Sequence, residues 1–144
     1  MQLSNHFSLE ELVRSDIASR KGLDNTPTPE IIANLTELAL GLEKVRELLG
    51  HPIYVSSGYR GPKVNSAVGG SKNSAHMRGY AADFTSPGFG TPQDICHAIM
   101  DSTIDYDQLI FEGTWVHFSN DPQMRRMNLT AHFGNGVTYT NGIA

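Results

Sequence analysis

The sequence predicts an α+β domain: an antiparallel sheet with helices packed against it. Helical periodicity is concentrated before residue 50, short β-type runs follow it, and no regular strand–helix–strand alternation joins the two. A chain of 144 residues with no internal repeat or low-complexity tract suits one domain, residues 1–144, with a core of its own.

Ser8 and Glu11 have capping-box spacing and predict a helix from Leu9 to Ser19, with Leu9, Leu12, Val13 and Ile17 as its apolar stripe. Asn25-Thr26-Pro27-Thr28-Pro29 is a turn-rich connector in which Thr28 can cap and Pro29 can take the first helical position. Ile31, Ile32, Leu35, Leu38, Leu42, Val45 and Leu49 then recur at helical spacing until Gly50 and Pro52 stop the helix. Pro52 to Ser56 is a strand by composition and delivers Ser57, Gly58, Tyr59 and Arg60 to its C-terminal end. From Gly61-Pro62 through Gly69-Gly70-Ser71-Lys72-Asn73-Ser74 we expect a long irregular segment of the kind that lines a binding site. Tyr80 to Thr85 is a second strand, and Thr91-Pro92 opens a helix that turns Ile95, Ala98 and Ile99 inward and ends near Asp101. Asp107 to Glu112 and Trp115 to Ser119 form a β-hairpin around Gly113-Thr114. Residues 127–133 and 137–140 supply two more strands around Gly134-Asn135-Gly136.

Composition excludes several functions. A formal net charge of −4 argues against nucleic acid as a partner, since phosphate binding needs a concentrated basic face, and Arg125-Arg126 reads as a solvated surface pair. Cys96 is the sole cysteine, so there is no internal disulfide and no thiolate metal cluster; it reads as a small buried hydrophobe on a helix. No stretch resembles a signal peptide or is long enough to span a bilayer. The expectation is a monomer made in the cytoplasm, without membrane insertion.

The chemistry concentrates between Ser56 and Ser119. His76 and Asp83 are seven residues apart with Gly79 between them, which suits a histidine on a loop and an aspartate on the strand that follows. In Trp115-Val116-His117-Phe118-Ser119, strand alternation sends Val116 and Phe118 to the core and His117 to the other face, with Trp115 and Ser119. Two imidazoles and one carboxylate with a fourth position left to water make a catalytic zinc site, Zn2+ on His76, Asp83 and His117. Glu112, across the hairpin from Trp115 or His117, is the candidate general base. Arg60 offers a planar fork of donors for a substrate carboxylate or an oxyanion. His6, His51, His97 and His132 lie outside these motifs and read as structural or exposed.

The patterns Ser-Gly-Tyr-Arg (57–60), Ser-x-His-x-x-Gly-x-Ala-x-Asp (74–83) and Trp-x-His (115–117), in that order, resemble the zinc D-alanyl-D-alanine carboxypeptidase family of peptidoglycan metallopeptidases. That group includes cell-wall DD-carboxypeptidases, D-Ala-D-Ala dipeptidases, phage endolysins that cut L-alanyl-D-glutamate bonds, and the related hedgehog signalling domains. Phe7-Ser8-Leu9-Glu10-Glu11 is also similar to the carboxypeptidase branch, so the resemblance covers most of the chain. It implies a hedgehog/DD-peptidase-like fold, one Zn2+ per chain, a substrate contact by Arg60, and a role for Ser74 in binding substrate or steadying its loop. The chain departs from the dipeptidase branch, whose catalytic acid lies three residues before the last histidine ligand, because Thr114 stands there. Glu112 instead matches the place where the cell-wall carboxypeptidases carry a catalytic histidine. The implied activity is hydrolysis of a peptide bond in the peptidoglycan stem peptide, of the D-alanyl-D-alanine carboxypeptidase type. Alternatives are an endolysin-type endopeptidase, cutting an L-Ala-D-Glu bond or a cross-link, and a non-catalytic zinc-containing module that binds cell wall. A wall-cutting enzyme without a signal peptide suits a phage or prophage lysis protein that acts after release.

Overall fold

Leu35, Leu38, Ala39, Leu42, Val45 and Leu49 lie along one stripe of the helix Pro29–Leu49 and are all buried. The computed structural model describes residues 1–144. This helix is the third in the chain, after α1 (Leu9–Val13) and α2 (Asp16–Lys21), and is called α3. Thr28 caps it by accepting from the Ile31 N–H, Pro29 opens it, and Gly50 ends it in the left-handed conformation.

Against α3 lies a six-stranded sheet made of β1 (Tyr54–Ser57), β2 (Ala81–Thr85), β3 (Gln108–Phe111), β4 (Val116–Ser119), β5 (Met127–Gly134) and β6 (Gly136–Asn141). The order is β1-β2-β4-β3-β5-β6. Strand alternation gives the sheet two unlike faces. Ala82, Phe84, Leu109, Val116 and Phe118 pack into the core with α3 and with Ile95, Cys96 and Ile99 of α5 (Pro92–Met100), while Asp83 and His117 face the other way. Burial pushes the Cys96 thiol up to about 12, so it is an inert core residue. No helix is long and apolar enough to cross a membrane.

The architecture is the expected single α+β domain, with several local corrections. The helix expected from Leu9 to Ser19 is two helices, because Arg14 is extended and Ser15 starts a new helix by accepting from the Ala18 N–H. At Ser8 only half of the capping box forms, the bond from the Glu11 N–H; the reciprocal box is at Thr91 and Asp94 of α5. The segment expected to be irregular contains α4 (Pro62–Ala67), opened by proline at its first turn.

The sheet is mostly antiparallel, but β3 and β5 pair in parallel, Gln108 with Met127 through Phe111 with Thr130. That register is fixed where the chain crosses over. Asp107 is buried and accepts from Arg125 Nε and Nη2, both at 2.8 Å, and from the Arg125 N–H at 3.0 Å. The Arg126 guanidinium donates to the carbonyls of Met100, Ser102 and Ile104 and lies 4.6 Å over the Tyr106 ring. The two arginines are therefore a structural clasp rather than a solvated pair.

Candidate active site

Asp83 and His117 lie directly opposite each other on the neighbouring strands β2 and β4, so the sheet register itself juxtaposes their side chains. His76 is brought to them by a 3₁₀ turn, Ala75–Arg78, where a loop was expected. Ser74 caps the turn by accepting from the His76 N–H, and Gly79 leaves it at φ 77°. A side chain at Gly79 would press on the Ile31 carbonyl of α3 at 3.1 Å, so glycine is required for both its backbone angle and its close approach.

The three side chains are buried, and their ligand atoms lie within 4.8 Å of one another. Asp83 Oδ1 is 3.3 Å from His76 Nε2 and 3.1 Å from His117 Nδ1. His76 Nδ1 is 2.8 Å from the Gly58 carbonyl, which can only accept, so Nδ1 carries the proton and the lone pair on Nε2 faces Asp83. Burial pulls the His76 pKa down, with Asp83 opposing, and the ring is neutral at neutral pH. Burial pushes the Asp83 carboxyl up, while charge and hydrogen bonding from the two histidines, when their rings carry protons towards it, hold the group well below the usual carboxylate range. A neutral ring nitrogen facing a carboxylate oxygen is a repulsive contact unless a cation sits between them. Two ligands at about 2.0–2.1 Å from a tetrahedral ion are separated by about 3.3 Å, which is the spacing found here. The residues fit a single metal ion.

Glu112 pairs with Trp115 at the end of the hairpin, its N–H bonding the Trp115 carbonyl, while His117 lies across from Ile110. Trp115 Nε1 donates to Glu112 Oε2 at 2.7 Å and fixes the carboxylate's orientation. Burial raises the Glu112 pKa, and the charge on Asp83 raises it further against the pull of His117, Trp115 and Arg60. Arg60 is half-buried. Its Nε has no partner, and its Nη2 is 3.4 Å from Ser74 Oγ, a long contact. Burial lowers the Arg60 pKa, while Asp83 and Glu112 favour its charge. The structure thus brings all six sequence-identified residues, Arg60, Ser74, His76, Asp83, Glu112 and His117, into one neighbourhood. His6, His51, His97 and His132 are exposed and lie outside it.

Several supporting groups were not singled out as site residues by the sequence. Asn25 donates from Nδ2 to the Val13 and Tyr59 carbonyls and accepts on Oδ1 from the Gly61 N–H, which ties the Tyr59-Arg60-Gly61 segment to the end of α1. Gly58 passes so close to Leu12 that any Cβ would overlap the Leu12 carbonyl oxygen, and the Tyr59 N–H donates to that same oxygen at 2.7 Å. Asn34 of α3 donates to the Arg78 carbonyl and steadies the His76 turn. The sequence signals for these three were an asparagine in a turn-rich connector, the glycine of the Ser-Gly-Tyr-Arg pattern, and a polar residue on an otherwise leucine-rich helix.

A comparison with curated proteins gives no match. A family model described as Peptidase M15 matches residues 5–119, from the start of the chain through the end of β4. The match takes in the whole His76–Asp83–His117 set, and with it the chain belongs to the peptidase M15 family of metallopeptidases, which are hydrolases.

Proposed function

We propose that this chain is a zinc-dependent peptidase acting on the stem peptide of bacterial peptidoglycan, of the D-alanyl-D-alanine carboxypeptidase type. The observation that carries the reading is the buried His76–Asp83–His117 set, whose facing acceptor atoms need a cation, with a half-buried carboxylate and a half-buried guanidinium beside it. The stem-peptide assignment draws on the order and spacing of the three sequence motifs within a peptidase M15 chain.

His76 Nε2, Asp83 Oδ1 and His117 Nδ1 would hold the zinc, which would supply an acidified water and Lewis acidity. Glu112 takes the proton of the attacking water and returns it to the departing amine, with Trp115 Nε1 keeping the carboxylate in place. Its raised pKa brings it nearer to working pH and improves it for both transfers. Arg60 donates to a substrate carboxylate or to the oxyanion, using groups that have no firm partner within the protein. Ser74 steadies the His76 turn and lies against Arg60, where its hydroxyl can also reach substrate.

Mass spectrometry of purified peptidoglycan and defined stem peptides, incubated with zinc-loaded protein and with a chelated control, tests this reading. Loss of one terminal alanine is the expected product. An internal cut would replace the carboxypeptidase with an endopeptidase of the endolysin kind. Absence of any metal-dependent product would leave a zinc-containing wall-binding module.

A further inference from the structure

A cleft of about 320 Å³ opens beside the metal-ligand set, between the α1–α2 segment and the end of β1, with Asp83 in its lining. Arg14, Arg20 and Arg60 all line it, and Asp16 is the acidic side chain it contains besides Asp83. None of the ion pairs in the structure engages Arg14 or Arg20. Arg60 contributes the unpartnered Nε described above. With Asp83 committed to a metal, three guanidiniums face one carboxylate in a chain whose formal net charge is −4. A local excess of positive charge on an acidic protein marks a place where an anion is taken up.

The break between α1 and α2 creates this convergence. Positions 14 and 20 on one continuous helix would be about 120° apart around its axis and would face different surroundings. The extended Arg14 and the new start at Ser15 bring both side chains to the same cleft.

We infer that Arg14 and Arg20, together with Arg60, form a carboxylate-reading subsite for an acidic residue of the substrate peptide, in addition to the carboxylate that Arg60 takes. This rests on the peptidase reading above and narrows its substrate class to peptides carrying a second free carboxylate near the cleaved bond. Guanidinium forks suit carboxylates, and two remain uncommitted after Arg60 is used.

Isothermal titration calorimetry on the metal-loaded Glu112→Gln protein reads binding without turnover. The two probes are L-Ala-γ-D-Glu-L-Lys-D-Ala-D-Ala and the same peptide with the D-Glu α-carboxyl amidated. The free acid should bind about tenfold more tightly, a difference of about 1.4 kcal/mol. The preference should shrink at high salt, fall about threefold in Arg20→Gln, and vanish when Arg14→Ala and Arg20→Ala are combined. Both side chains are exposed and unpaired, so these replacements leave the packing intact. Equal affinity for the two peptides, no binding of either, or a preference that survives the double replacement overturns the inference. Turnover by the wild-type holoenzyme is scored separately: if neither peptide is cleaved, the reading of function fails, and a preference seen by calorimetry stands apart from that result.

Discussion

Removing the metal should cost this protein a large and measurable part of its thermal stability. The ligands come from three separate elements and span residues 76 to 117, so an unfolded chain does not hold them together and the ion binds only the folded state. Free metal at about a thousand times its dissociation constant then contributes about 4 kcal/mol to folding. For 144 residues, an unfolding entropy of about 2.1 cal/mol/K per residue gives about 0.3 kcal/mol/K, so chelation should lower Tm by about 14 °C. The loss is made worse by what chelation leaves behind, a buried carboxylate facing a ring nitrogen that carries a lone pair. Differential scanning calorimetry of zinc-loaded and chelator-treated protein, with metal content measured on the same samples, reads the shift. His76→Ala should bind no stoichiometric zinc and show no shift. A chelated sample that has lost its metal but melts within a degree or two of the loaded one would refute the site.

Glu112→Gln keeps an acceptor for Trp115 and should retain zinc, while kcat falls by about 10²–10⁴; steady-state kinetics with metal analysis checks both. Because burial raises the Glu112 pKa above its ordinary 4.5, the carboxylate is the base only above that raised value, and kcat/KM should fall as pH drops through it. Glu112→Gln should abolish that acid limb. Gly58→Ala forces a methyl group into the Leu12 backbone and should destabilise the fold by about 1–3 kcal/mol in urea unfolding. By moving the carbonyl that orients His76 it should also weaken zinc binding by about 10–100-fold. Hydrogen bonds from Arg125 hold the Asp107 carboxyl below its usual range, so its contribution to stability is complete above the unfolded value of about 3.9 and is lost as pH falls through the depressed folded value. Asp107→Asn should therefore lower stability at pH 7 and make the difference from wild type shrink steadily on acidification.

The convergence of His76, Asp83 and His117 on one candidate metal site was legible because these residues stand at fixed spacing on a turn and two strands, and strand alternation alone places His117 opposite the core. Helix α3 was legible because Thr28, Pro29, the leucine spacing and Gly50 all agree. The break at Arg14 was not, since Leu9, Leu12, Val13 and Ile17 keep helical spacing across it and only the competing cap at Ser15 reveals the interruption. The parallel pairing of β3 with β5 was invisible for a different reason. Neither strand's pattern encodes its neighbour, and the pairing depends on an Asp107–Arg125 contact between residues eighteen apart. The arginine cleft followed from the break at Arg14, because it exists only once α1 and α2 are separate and β1 ends beside them. Helix α4 was hidden by its Gly-Pro start, which marks a turn as readily as a first helical residue.

The strand order has a consequence for how the molecule opens. β6 is exposed at every residue and forms one margin of the sheet, and β1, four residues long, forms the other. Asp83 and His117 lie on β2 and β4, adjacent interior strands with a hydrogen-bonded neighbour on each side. Fraying therefore begins in the β5–β6 hairpin, beyond the matched family span, and must cross β3 before it reaches His117. Amide exchange should be fast along Val137 to Thr140 and slowest at Ala82, Phe84, Val116 and Phe118, the interior positions of the two strands that carry Asp83 and His117.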